Sequence, residues 1–134
     1  MWIKKLASTL LACAGIALSG SAAAAADGGW FTQAQAASGH QLFNNYCAEC
    51  HGPDLSGGAG PALVGNAFLA QWSNRSLGDL FSFVHSQMPA NNPGSLPDAT
   101  MWSITAYILQ KNGFPAGSVG ASQPAEEKRL LSAK

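Results

Sequence analysis

Residues Cys47, Ala48, Glu49, Cys50 and His51 place two thiols two residues apart and an imidazole directly after the second. That spacing suits covalent attachment of a c-type haem. Two thiols on neighbouring helical turns can each form a thioether to a vinyl group, clamping one edge of the macrocycle to the backbone. The next residue then lies under the iron, where a neutral imidazole serves well as an axial ligand. Other uses of the pattern fit less well. A structural zinc site wants a second ligand pair, and the one other cysteine is Cys13, near the N-terminus. A thioredoxin-like dithiol wants a strand-helix-strand setting, and no strand-like run flanks Cys47. A disulfide across two residues would constrain almost nothing.

An iron so held needs a sixth ligand or an open face, and that choice separates an electron carrier from a catalyst. The candidates are Met88, Met101, His85 and His40. Met88 stands in a Met-Pro step just past a helix, where an extended segment can cross the far side of the haem. Met101 falls in an apolar helical stripe, where core packing explains it. His40 precedes the motif on the same helix and cannot easily reach the opposite face. His85, three residues before Met88, suits a solvated or propionate-side role better than ligation, but it is the main rival. Met88 is the expected ligand.

The 134 residues make one domain after a leader. Lys4 and Lys5, the apolar stretch Leu6 to Leu18 and the small residues Ala22 to Ala26 read as a signal peptide over 1–26, cleaved before Asp27. The apolar stretch is short for a membrane span, and lipidation at Cys13 would fall unusually early. From Asp27 onward there are five basic and seven acidic residues, a formal charge of −2 with no basic patch for nucleic acid. The motif uses both remaining cysteines, which excludes a disulfide framework. Export points to the bacterial periplasm.

The elements that position the motif are helices. Residues 27–34 are a loose lead-in, with Thr32 and Gln35 forming a capping box for a helix from about Gln33 to the cysteines. Leu42, Phe43 and Tyr46 make its apolar face, and Gly39, costly in mid-helix, marks a helix crossing. Gly52 to Pro61 is an irregular loop. Asn66 caps a short helix through Phe68, Leu69 and Trp72. Ser76 and Asp79 start the next, with Leu77, Leu80, Phe81 and Val84 inward, and Pro89 ends it near Gln87. Pro97 opens a last helix at its first position, with Asp98 at the positive end of the dipole and Met101, Trp102, Ile104, Tyr107 and Ile108 inward. Gly113 and Pro115 close it. Residues 116–134 read as a flexible tail. No strand or repeat is visible, so the class is all-α. A chain so rich in glycine and loops has a marginal core alone, which the porphyrin would complete.

Taken together, Gly39, Phe43, Cys47-Ala48-Glu49-Cys50-His51, Gly60-Pro61-Ala62-Leu63, Met88-Pro89 and Ile104-Thr105-Ala106-Tyr107 resemble a class I bacterial cytochrome c over roughly residues 35–115. The resemblance implies a cytochrome c fold of four to five short helices around one covalently bound haem c. It implies that Gly39 and Phe43 meet Ile104 and Tyr107 where the first and last helices cross. The Pro61 carbonyl would accept from the outer nitrogen of His51, Leu63 would pack on the haem, and Met88 would bind the iron. The stretch Met88-Pro89-Ala90 to Tyr107-Ile108-Leu109 is similar to small cytochromes and haem domains that serve quinoprotein dehydrogenases. Two departures are Pro97, where relatives carry a serine or threonine, and the absence of a lysine ring.

The expected function follows. It is a periplasmic monomeric electron carrier, not an enzyme, with His51 and Met88 as ligands and no membrane span after cleavage. It would pass electrons from a dehydrogenase to an oxidase or another cytochrome. The alternatives are a haem enzyme or a gas or peroxide sensor with an open sixth position, and a haem subunit permanently bound to a dehydrogenase.

Overall fold

A helix begins where a side chain satisfies N–H groups that the first turn leaves unpaired. Thr32 does this for α1 (Gln33–Tyr46), its hydroxyl accepting from the Gln35 N–H at 3.1 Å. The computed structural model describes residues 28–122 and residue 131; the signal segment 1–26, Cys13 and the charged stretch Glu126 to Arg129 lie outside the described residues. Within them α1 is followed by α2 (Ala48–His51), α3 (Gly65–Trp72), α4 (Leu77–Gln87) and α5 (Asp98–Lys111), with no strand. The class is all-α. Among the described residues no helix is long and apolar enough to cross a membrane.

Of the remaining starts, that of α4 is also closed by a local side chain. At α4 the reciprocal box forms in full: Asp79 N–H donates to the Ser76 hydroxyl, and Ser76 N–H to the Asp79 carboxylate, both at 3.0 Å. At α5, Pro97 is the residue before the helix rather than its first, and Asp98 opens the first turn. At α3 the expected cap, Asn66, lies exposed inside the helix. The cap comes instead from Asn112 at the far end of α5, whose Oδ1 accepts from Gly65 N–H at 3.0 Å. Its Nδ2 donates to the carbonyls of Leu63 and Ile108, both at 2.9 Å, so one amide joins three segments.

The α4 box is a testable local device. Hydrogen bonds from Ser76, first its N–H and then its hydroxyl, hold the Asp79 carboxyl below the ordinary 3.8. A carboxyl lowered on folding adds stability that is full above its ordinary value and lost as the pH falls past the folded one. Ser76→Ala is expected to cost about 1 kcal/mol in urea denaturation at neutral pH. Asp79→Asn is expected to flatten the fall in stability below pH 3.8.

The core forms where α1 packs across α5. Gly39 faces the α5 backbone: a Cβ there would overlap the Ser103 carbonyl oxygen and stand 2.6 Å from its carbon and 3.0 Å from Tyr107 Cβ. This approach selects Ala36, Gly39 and Phe43 as the buried stripe of α1. Leu42 is half-buried and Tyr46 exposed, so the expected Leu42/Phe43/Tyr46 face is turned aside. Phe43 and Tyr107 pack at 5.5 Å between ring centroids, and His40 also stacks on the phenol, at 4.7 Å. α5 is buried almost throughout, from Met101 and Trp102 to Leu109, because α4 also packs on it.

Both flanks join this core. Trp30 and Phe31 are buried, with Trp30 N–H donating to the Pro115 carbonyl at 2.9 Å and Gly117 N–H to the Phe31 carbonyl at 2.7 Å. Trp30 meets Phe114 edge-on at 5.1 Å. The Gln35 side chain, expected to complete the cap of α1, reaches elsewhere. It donates to the Ala121 carbonyl and accepts from the Ala121 N–H, both at 2.8 Å. Leu131 is buried and exchanges backbone bonds with Asn74 and Arg75 at 2.7 and 2.8 Å. The described parts of the lead-in and tail are therefore anchored where looseness was expected, because each contributes apolar area and pairs its backbone with the body.

Candidate functional site

The backbone breaks at Cys47 between α1 and α2. Its N–H still bonds to the Phe43 carbonyl at 2.8 Å, but its φ of −125° leaves the helix. The single turn of α2 restarts on the Cys47 carbonyl, which accepts from Cys50 and His51 N–H at 3.2 and 3.0 Å. The Cys47 thiol is half-buried, the Cys50 thiol exposed, and the His51 ring buried. Burial, then the neighbouring Cys50, pushes the Cys47 thiol up to about 11. At neutral pH it is protonated, the opposite of what thiol-disulfide exchange requires.

The loop after α2 folds back onto it. Gly57 N–H donates to the His51 carbonyl and Gly60 N–H to the Cys50 carbonyl, both at 2.8 Å. Leu55, fully buried at a φ of +64°, is the loop's own core residue, and its carbonyl accepts from Leu63 N–H at 2.8 Å. This places the Pro61 carbonyl 2.8 Å from His51 Nδ1. A carbonyl can only accept, so Nδ1 carries a hydrogen, and in the neutral ring Nε2 is the nitrogen with the lone pair. The fixed tautomer also makes the ring more basic toward a metal.

Gly60 is the space behind that ring. A Cβ there would lie 2.8 Å from His51 Cε1 and 2.9 Å from Nδ1. Gly60→Ala is therefore expected to push the imidazole off the Pro61 carbonyl, at a cost of about 1–3 kcal/mol for the overpacked contact. In the haem-loaded protein the check is a shifted Soret band with a lower urea midpoint, against an unchanged spectrum if the ring can move aside.

Met88 lies on another element. It ends α4 in extended backbone (φ −120°, ψ 154°), donates its N–H to the Val84 carbonyl at 3.0 Å, and is half-buried against the core. Leu63, Val64, Leu69, Val84 and Leu96 share that half-buried, apolar character. The other candidate ligands are otherwise engaged. His85 Nε2 lies 3.0 Å from Asp98 Oδ1, Met101 is buried within α5, and His40 stacks on Tyr107.

Cys47, Cys50, His51 and Pro61 thus form one hydrogen-bonded unit, with Leu63 tied to it through Leu55, while Met88 stands on a separate loop. Gly60, Leu55 and Asn112 are the residues that sequence reasoning missed. Gly60 lies inside the quoted motif, but its role is spatial; Leu55 and Asn112 carry no local signal. The group fits a haem: two thiols and an imidazole following them, with a glycine cradle shaped to the ring. No group of three or more His, Cys, Asp or Glu able to cage a bare ion gathers among the described residues.

Comparison with known proteins follows from this geometry. The family described as cytochrome c oxidase, cbb3-type, subunit III matches residues 34–108. The thiosulfate dehydrogenase of Stutzerimonas stutzeri (strain A1501) is 32% identical over 81 residues, 54% of this chain and 26% of that protein. The crystal structure of the sulfane dehydrogenase SoxCD from Paracoccus pantotrophus superposes with a TM-score of 0.55 at 25% identity. That match covers 72% of this chain and 52% of the other. The chain therefore spans about a quarter and about half, respectively, of the relatives it matches.

Proposed function

The chain belongs to the c-type cytochrome domain family described as cytochrome c oxidase, cbb3-type, subunit III, and from that premise we propose that it is a monohaem electron carrier. The observation that carries the proposal is the His51 Nδ1–Pro61 bond directly behind the two thiols. Cys47 and Cys50 would hold the haem through thioethers, His51 Nε2 would bind the iron on one side, and the Met88 thioether on the other. The bound haem supplies one-electron exchange between ferric and ferrous iron.

The chain's residues set the conditions for that exchange. His51 is held in one tautomer and one orientation. His51 is itself buried, and a dry site with a thioether ligand would favour the reduced state. The close α1/α5 crossing would give a scaffold that changes little between redox states. With His51 and Met88 both holding the iron, the protein would leave no place there for a substrate.

The donor we infer is a dehydrogenase. The relatives, a thiosulfate dehydrogenase and a sulfane dehydrogenase, favour one that oxidises a sulfur compound over the quinoprotein type suggested by the motif resemblance. The leader over residues 1–26 would deliver the protein to the periplasm. A formal charge of −2 from Asp27 onward gives weak steering, so docking would be a small and transient contact.

The test is spectroscopic. The oxidised protein is expected to show a methionine-to-iron charge-transfer band, and the reduced protein to bind no carbon monoxide within mixing time. Rapid carbon monoxide binding with no such band would overturn the carrier and favour an open catalytic or sensing site.

A further inference from the structure

The segment from Met88 to Pro97 leaves α4 and returns as α5, and it is bonded to itself. Asn92 N–H donates to the Pro89 carbonyl at 2.9 Å, while Gly94 N–H donates to the Met88 carbonyl and Ser95 N–H to the Asn92 carbonyl, both at 3.3 Å. Side chains then join its two ends. His85, in the last turn of α4, sets Nε2 3.0 Å from Oδ1 of Asp98, the first residue of α5. Below that contact His85 stacks on Phe81 at 5.5 Å, and Phe81 stacks on Trp102 at 3.8 Å with the planes 7° apart. Phe81 and Trp102 are buried, so the lower rung is fixed, and His85–Asp98 is the rung nearest the loop.

We propose that His85 and Asp98 are positioning residues for Met88: their contact closes the base of the loop carrying the thioether and holds that side chain at the iron against competing ligands. The proposal rests on Met88 ligation as read above. A ligand borne on a loop is released when the loop opens, and a bond across the loop's ends removes open conformations from reach. Both side chains are partly solvated, at 32% and 71% exposure, so the effect is modest. An exposed side-chain contact of this kind is worth a factor of about two to five.

The experiment uses the haem-loaded full chain and follows loss of the methionine-to-iron band after mixing with imidazole. His85→Phe keeps a ring on Phe81 and removes the polar contact; Asp98→Ala removes it from the other side. Each is expected to speed displacement about two- to fivefold, and the double variant to be no faster than the quicker single one. Unchanged displacement with a lowered urea midpoint would mean a purely structural pair and overturn the proposal. So would effects that multiply in the double variant. Met88→Ala separates the two levels. A band that is missing in the wild type, or that survives this substitution, removes the ligand assignment and the clamp with it. A Met88-dependent band indifferent to both clamp variants removes the clamp alone.

Discussion

Gly39→Val is expected to abolish cooperative folding or to leave the protein at least about 4 kcal/mol less stable, in the range reserved for gross steric conflict. The added Cβ would overlap the Ser103 carbonyl and stand 2.6 Å from its carbon. Neither partner can yield by changing a rotamer: one is the backbone of α1, the other the backbone of α5. Separating the helices would pull Phe43 from Tyr107 and uncover Ile104, fully buried beside them. Domains of this size hold only about 5–15 kcal/mol in total, so such a loss leaves little. Urea denaturation followed by circular dichroism is the check, with a midpoint lowered by at least about 1.5 M. Gly113→Ala is the control. Gly113 has a φ of +81° with nothing within 4 Å of an added Cβ, so its cost is backbone strain alone, about 1 kcal/mol. Similar losses from both would remove the helix crossing as the fold's central contact.

Met88→Ala is expected to eliminate the charge-transfer band, open the iron to carbon monoxide and lower the potential by roughly 0.1–0.3 V, a fraction of the about 0.8 V that axial ligands span. The expectation follows from elimination. His85 is paired with Asp98, Met101 lies inside α5, and His40 lies against Tyr107, so none stands ready to replace the lost thioether. Truncation at a half-buried position is also expected to leave the helices intact, which circular dichroism would register. A band and potential that persist would mean that another side chain binds the iron.

The legible parts of this fold are those with local causes. Thr32, Ser76, Gly113 and the Met88–Pro89 step set helix ends by chemistry within a few residues, and those ends fall where expected. Gly39 stood out because a mid-helix glycine needs a neighbour, and the neighbour is there. What could not be read depends on distant partners. Asn112 caps a helix 47 residues earlier, and Gln35 turns from its own helix end to Ala121, 86 residues away. The apolar face of α1 was misjudged because spacing alone cannot tell which side Gly39 would press inward. At the site, the thiols and His51 are legible as a motif, whereas Gly60's role is empty space that only the folded loop defines.

The central claim is a haem joined to Cys47 and Cys50. Its most direct measurement is the intact mass and colour of the chain, purified from a host that attaches c-type haem, after acid-acetone extraction. The expected result is a polypeptide that stays red and exceeds its amino-acid mass by one haem. A colourless protein at the bare polypeptide mass, with the pigment in the solvent or absent, would contradict it.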